Sequence, residues 1–139
     1  MTATDFLKAF GVALLVMVLN VAISFAVVGV YSVAVDPGHD QAYYEAKAQE
    51  IAPWSSVAFG VVLFYLAGMI AAIRRPERNA IAFALTAAGI YIAIDLAVIY
   101  AAGALAQLGE VVAISFFTKV VAALAGARMG IHRRSLASS

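Results

Sequence analysis

Residues 54–105 read WSSVAFGVVLFYLAGMIAAI-RRPERN-AIAFALTAAGIYIAIDLAVIYAAGAL: two apolar runs, Trp54–Ile73 and Ala80–Leu105, joined by six residues of which four are charged. Each run is long enough to cross a bilayer as a helix, since about twenty residues at 1.5 Å rise span the hydrocarbon layer. Pro76 stops one helix, and Arg74, Arg75 and Arg78 anchor both neighbours at the headgroups. Such a tight link makes the two spans antiparallel neighbours. Working outward, Phe6–Val35 precedes this hairpin and Val111–Ala127 follows it, the latter extendable through Gly130 and Ile131. The expected fold is therefore an all-α polytopic membrane protein: one domain over 1–139 with four transmembrane helices in one antiparallel bundle. The spans are expected at about 6–35, 54–73, 80–105 and 111–131, with a tail over 132–139.

Composition agrees with lipid as the solvent. The 139 residues are 65% hydrophobic and 12% charged, with a mean hydropathy of +0.97. That is about half the charged fraction of a soluble domain. The length allows four helices and one modest loop, with no room for a separate soluble catalytic domain. The chain has no cysteine, which excludes disulfides, thiolate metal sites and cysteine nucleophiles. Ser32-Val33-Ala34 has the small-x-small form of a cleavage site, yet the run before it is about twice a normal signal h-region. The first run is read as a retained span.

Charge is segregated along the four-span layout. Lys8, Arg74, Arg75, Arg78, Arg128, Arg133 and Arg134 fall on one side with only Asp5 and Glu77, a net of +5. The other side has Lys47 against Asp36, Asp40, Glu45, Glu50 and Glu110, a net of −4. By the positive-inside rule both termini are cytoplasmic, N-in and C-in. Anionic lipid at that face is the expected partner of the basic residues, and nucleic acid is not. In composition alone, the chain resembles short alanine-rich proteins of the bacterial cytoplasmic membrane.

The outer loop over 36–53 begins with the turn Asp36-Pro37-Gly38. Asp40 is placed to cap a short interfacial helix over Gln41–Ile51, ended by Pro53, with Trp54 marking the water boundary of the second span. Ala106-Gln107-Leu108-Gly109-Glu110 is read as the link between the third and fourth spans. Asp36, His39, Asp40 and Glu45 make a solvated acidic loop without metal-ligand spacing. An internal echo joins Leu66-Ala67-Gly68 before Ile73-Arg74-Arg75 to Leu124-Ala125-Gly126 before Ile131-His132-Arg133-Arg134. It reads either as a duplicated two-helix unit or as two alanine-rich spans with the same topological demands.

Asp95 and Lys119 are the only full charges well inside spans, where an isolated charge costs at least a few kcal/mol. Counted from Gln107 and Glu110 they lie about 18 Å and 14 Å along their helices, so a lysine stem can close the gap between them. Tyr91, one turn before Asp95, is placed to donate to it, and Ser115 stands one turn before Lys119. Asn20 and Ser24, also one turn apart, join the same polar site if the first span faces it. Lys119, Ala122, Ala123, Gly126 and Gly130 share one helix face, and Gly126–Gly130 has the spacing for close helix approach.

No glycine-rich phosphate loop, Ser-His-Asp arrangement, paired catalytic carboxylates or haem-ligating histidine pair occurs in the spans. Neither a cofactor nor enzymatic activity is expected. The expected function is a non-enzymatic helix-bundle module that self-associates or packs in a larger membrane complex. The alternative is a small ion or solute transporter or channel subunit using the Asp95/Lys119 site.

Overall fold

The computed structural model of the protein describes residues 1–75 and 77–137, the side chains of residues 77, 78, 107 and 108 excepted. All regular structure among them is helical: α1 (Ala3–Val30), a π-helical turn (Tyr31–Val35), α2 (Gln41–Ile73), α3 (Glu77–Ala101) and α4 (Leu105–Ala137). All four α-helices are long and apolar enough to cross a membrane.

Local chemistry sets the ends. Thr2 and Asp5 form a capping box on α1: the Thr2 hydroxyl accepts from the Asp5 N–H at 3.2 Å and the Asp5 carboxylate accepts from the Thr2 N–H at 3.0 Å. The π turn closes with the Asp36 N–H donating to the Tyr31 carbonyl, just before Pro37 removes the next donor. Gly38 takes φ +97° in the turn that follows. The Asp40 carboxylate then caps α2 through the Tyr43 N–H at 2.9 Å. Asp36 organises this connection: its carboxylate accepts from the Tyr43 hydroxyl at 2.5 Å and lies 3.1 Å from His39 Nε2. The Tyr43 bond, and secondly His39, hold its carboxyl below the usual carboxylate range.

Three boundaries differ from the sequence reading. Pro53 does not end a short helix over Gln41–Ile51; α2 runs through it as one helix of 33 residues. A proline deletes one backbone bond, but an end to the helix would leave further backbone groups unpaired, which a membrane span tolerates poorly. The second link is not 106–110, which belongs to α4, but 102–104. There Gly103 at φ +68° terminates α3 in a Schellman arrangement: its N–H donates to the Tyr100 carbonyl and the Ala104 N–H to the Ile99 carbonyl. At its other end α4 does not stop at 131 but continues through the expected tail to Ala137.

The most extensive helix contact is between α2 and α4; α1 packs on α2 and α3, and α3 also on α4. The core is built mainly of alanine, including Ala13, Ala72, Ala84, Ala88, Ala123 and Ala127, so the helices come close. Among the described residues, the largest fully buried side chains are Phe64 and Lys119. Leu15, Val18, Phe25, Val98 and Phe117 are exposed, the distribution expected where lipid surrounds the bundle. One end of the bundle is tied by Arg75, which bonds Asp5 at 2.5 Å, stacks over the Phe83 ring and accepts at its carbonyl from Arg134.

Candidate functional site

Lys119 is 0% exposed in a core of alanines. Room for its stem comes from Gly60 on α2: a Cβ there would collide with Lys119 Cε. Its Nζ donates to Ser115 Oγ at 2.7 Å, Tyr91 OH at 3.2 Å and Ser56 Oγ at 3.3 Å, which uses all three ammonium protons. α1 completes the network, because Asn20 Nδ2 donates to Ser56 Oγ at 2.7 Å and to Tyr91 OH at 3.0 Å. All four α-helices thus meet at one polar knot. Phe64 packs edge-on against Tyr91 at 5.1 Å between centroids and fixes the ring that carries the shared hydroxyl.

Asp95 stands apart from this knot. It is half-buried, and its carboxylate oxygens lie farther than 4.0 Å from Lys119 Nζ, beyond an ion pair. Tyr91 does not donate to it; the Tyr91 hydroxyl instead receives from Asn20 and Lys119. The corrected link explains the separation. Counted from Gly103, Asp95 lies about 12 Å along α3 and Lys119 about 24 Å along α4, so the lysine must reach back toward Tyr91, a turn short of the acid.

Asp95 faces a cavity of about 290 Å³ that Asn20, Ser24, Ser56 and Tyr91 also line. Ser24 Oγ lies 2.9 Å from Ser55 Oγ, and Ser55 in turn donates to the Ala52 carbonyl. Met17, Val21 and Phe25 supply apolar wall. Asn20 Oδ1 is the one buried side-chain polar atom without a hydrogen-bond partner among the described residues. A solute carrying a donor group would find the Asp95 carboxylate as acceptor in this cavity, while Asn20 Oδ1 is itself buried.

The structure therefore gathers Asn20, Tyr91, Ser115 and Lys119 into one network and places Ser24 and Asp95 beside it on the cavity wall. Ser55, Ser56 and Gly60 escaped the sequence reading. The available signal was a pair of serines, with Gly60 four residues after Ser56, at the start of an otherwise apolar run.

The small-residue face of α4 is used inside the chain. Gly126 sits on the Tyr65 carbonyl and Gly130 on the Met69 carbonyl, while Gly68 sits on the Ala123 carbonyl, all too close for a Cβ. The contact is reciprocal: each echo glycine, Gly68 and Gly126, meets the carbonyl three residues before the other. Ala122 and Ala123 are buried in the same face. Of the anchor residues, Trp54, Arg74 and Arg128 are exposed and Arg75 is tied as described, whereas the side chain of Arg78 lies outside the described residues. Comparison with known proteins found no matching family model, curated protein or solved structure.

Proposed function

We propose that this membrane protein is a small transporter or channel subunit that takes an ion or small polar solute at the Asp95 cavity. The observation that carries this reading is the separation of the buried lysine from the half-buried carboxylate. A fixed structural pair would put Asp95 and Lys119 in contact, each neutralising the other. Here the lysine is satisfied by hydroxyls, and the carboxylate is left facing a cavity. That arrangement offers charge and acceptors to something other than the protein. In the proposed setting the helices are antiparallel neighbours in a bacterial cytoplasmic membrane, with both termini cytoplasmic as charge segregation directs. No catalytic step is assigned to any residue.

Proteoliposomes test it. Proton and potassium fluxes, read with a pH-sensitive dye and an imposed potassium gradient, are expected from the wild-type chain and abolished by Asp95→Asn, with insertion unchanged. Equal fluxes in wild-type and Asp95→Asn vesicles, including none above empty vesicles for both, overturn the reading.

A second reading, a non-enzymatic module that self-associates or joins a larger membrane complex, is favoured by one feature of α3. Gly89, Ala93 and Ala97 are exposed at four-residue spacing, and a Cβ at Gly89 would meet nothing within 4 Å. Such a row permits close approach of another helix. Loss of flux in Asp95→Asn with oligomeric state preserved decides for the transport reading over this one.

A further inference from the structure

We propose that the groove between α1 and α2 is a binding slot for one anionic phospholipid, its phosphate held by Lys8 and Arg74 and an acyl chain laid between the helices. The groove is the largest cavity described, about 940 Å³, and is separate from the Asp95 cavity. Its walls are Leu15 and Leu19 from α1 and Leu63, Leu66 and Ile70 from α2. Its cations, Lys8, Arg74 and Arg75, are all at one end.

Length decides for a lipid chain over a compact solute. From Lys8 to Leu19 on α1, and from Arg74 to Leu63 on α2, is eleven residues in each case, or about 16 Å at 1.5 Å per residue. That is about half of a ~30 Å hydrocarbon core, the depth of one leaflet. A lipid whose phosphate stands at the cationic mouth would therefore run its chain the full length of the slot and stop near the bilayer centre.

Charge decides for an anionic headgroup. Arg75 is committed to Asp5 and to the Phe83 ring. Lys8 and Arg74, both exposed, have no acidic partner among the described residues, and no carboxylate lines the groove. Two uncompensated cations beside an apolar slot favour a net negative headgroup over a zwitterionic one.

Gly11 keeps the slot open. It lines the groove, and a Cβ built on it meets nothing within 4 Å, so a side chain there starts in open space beside the slot. Replacing a mid-helix glycine also favours the helix itself. Gly11→Leu is thus the variant expected to narrow the slot while preserving the fold.

Native mass spectrometry of the full chain in detergent, titrated with phosphatidylglycerol or phosphatidylcholine of identical chains, tests the proposal. The wild-type chain is expected to retain one phosphatidylglycerol in preference to phosphatidylcholine. Lys8→Gln and Arg74→Gln should each weaken phosphatidylglycerol binding about fivefold, and their combination about 25-fold. Gly11→Leu should lose the retained lipid while its helical circular dichroism and elution volume stay those of wild type. Equal retention of the two lipids by the wild-type chain, or undiminished phosphatidylglycerol binding to folded Gly11→Leu, overturns it.

Discussion

The two halves of the α2–α4 seam use glycine for opposite ends. In one half, Gly68, Gly126 and Gly130 bring backbone against backbone, each seated on a carbonyl of the facing helix. In the other half, Gly60 faces no backbone; the space it leaves is filled by the stem of Lys119 on its way to Ser56, Tyr91 and Ser115. A membrane interior gives no hydrophobic drive for helices to associate, so contact has to come from close packing or from interhelical hydrogen bonds. This pair of helices uses one device in each half. The apolar half has no slack, because a backbone carbonyl cannot step aside. The polar half can yield, because a lysine stem has rotatable bonds.

The largest expected effect comes from challenging the rigid half. Gly126→Ala puts a methyl group into the Tyr65 carbonyl, and the helices must separate along the whole seam. A loss of about 3 kcal/mol is expected from overpacking against backbone, read as a lowered thermal midpoint and a broadened elution profile in detergent. A midpoint equal to wild type would show that the seam is looser than its geometry.

Removing the ammonium comes second. Lys119→Met keeps an unbranched stem of similar bulk but deletes three hydrogen bonds, leaving Ser56, Tyr91 and Ser115 without that donor. Two of these bonds, to Ser56 and Tyr91, cross between helices, and such bonds in membranes average roughly 0.6 kcal/mol, so the expected cost is about 1 kcal/mol. A more stable Lys119→Met would mean that desolvating the charge outweighs its three bonds, and that the lysine is retained for function.

The smallest expected effect is the one that most directly compares the halves. Gly60→Ala strikes only Lys119 Cε, the movable end of a side chain, and should cost less than about 1 kcal/mol after the stem shifts. In a Lys119→Met background that cost should change, because the two positions share one space, whereas Gly126→Ala should cost the same in either background. Identical costs of Gly60→Ala in both backgrounds would deny the coupling.

Much of the architecture was legible because lipid demands it. Four apolar runs at 65% hydrophobic composition leave few folds other than helices long enough to span. What sequence could not give was rotation about each helix axis and the true ends. Pro53 looked like a stop, yet the helix passes through it. The glycine that does end α3, Gly103, stood inside a run read as apolar, and moving the link from 106–110 to 102–104 separated Asp95 from Lys119 in depth. Asn20, Tyr91, Ser115 and Lys119 were readable as polar residues at helical spacing. Their common partner Ser56 was not, since a serine beside a tryptophan at a span's start carries no mark of which neighbour it faces. That Gly126 and Gly130 are used within the chain could be settled only by seeing the carbonyls they rest on.

The order of helices in the main seam also bears on how the chain is made. α4 leaves the ribosome after α1, α2 and α3, and until it does, Gly60 and Gly68 on α2 lack the α4 groups they pack against. A lysine at the centre of a departing helix ordinarily raises the cost of leaving the translocon for lipid by about 3 kcal/mol. By then α1, α2 and α3 can already present Asn20, Ser56 and Tyr91 together, so Lys119 enters the bilayer opposite a waiting set of oxygens. Membrane integration of α4 and closure of the four-helix contacts thereby become a single step, with the earlier helices acting as the template that lets a charged segment in.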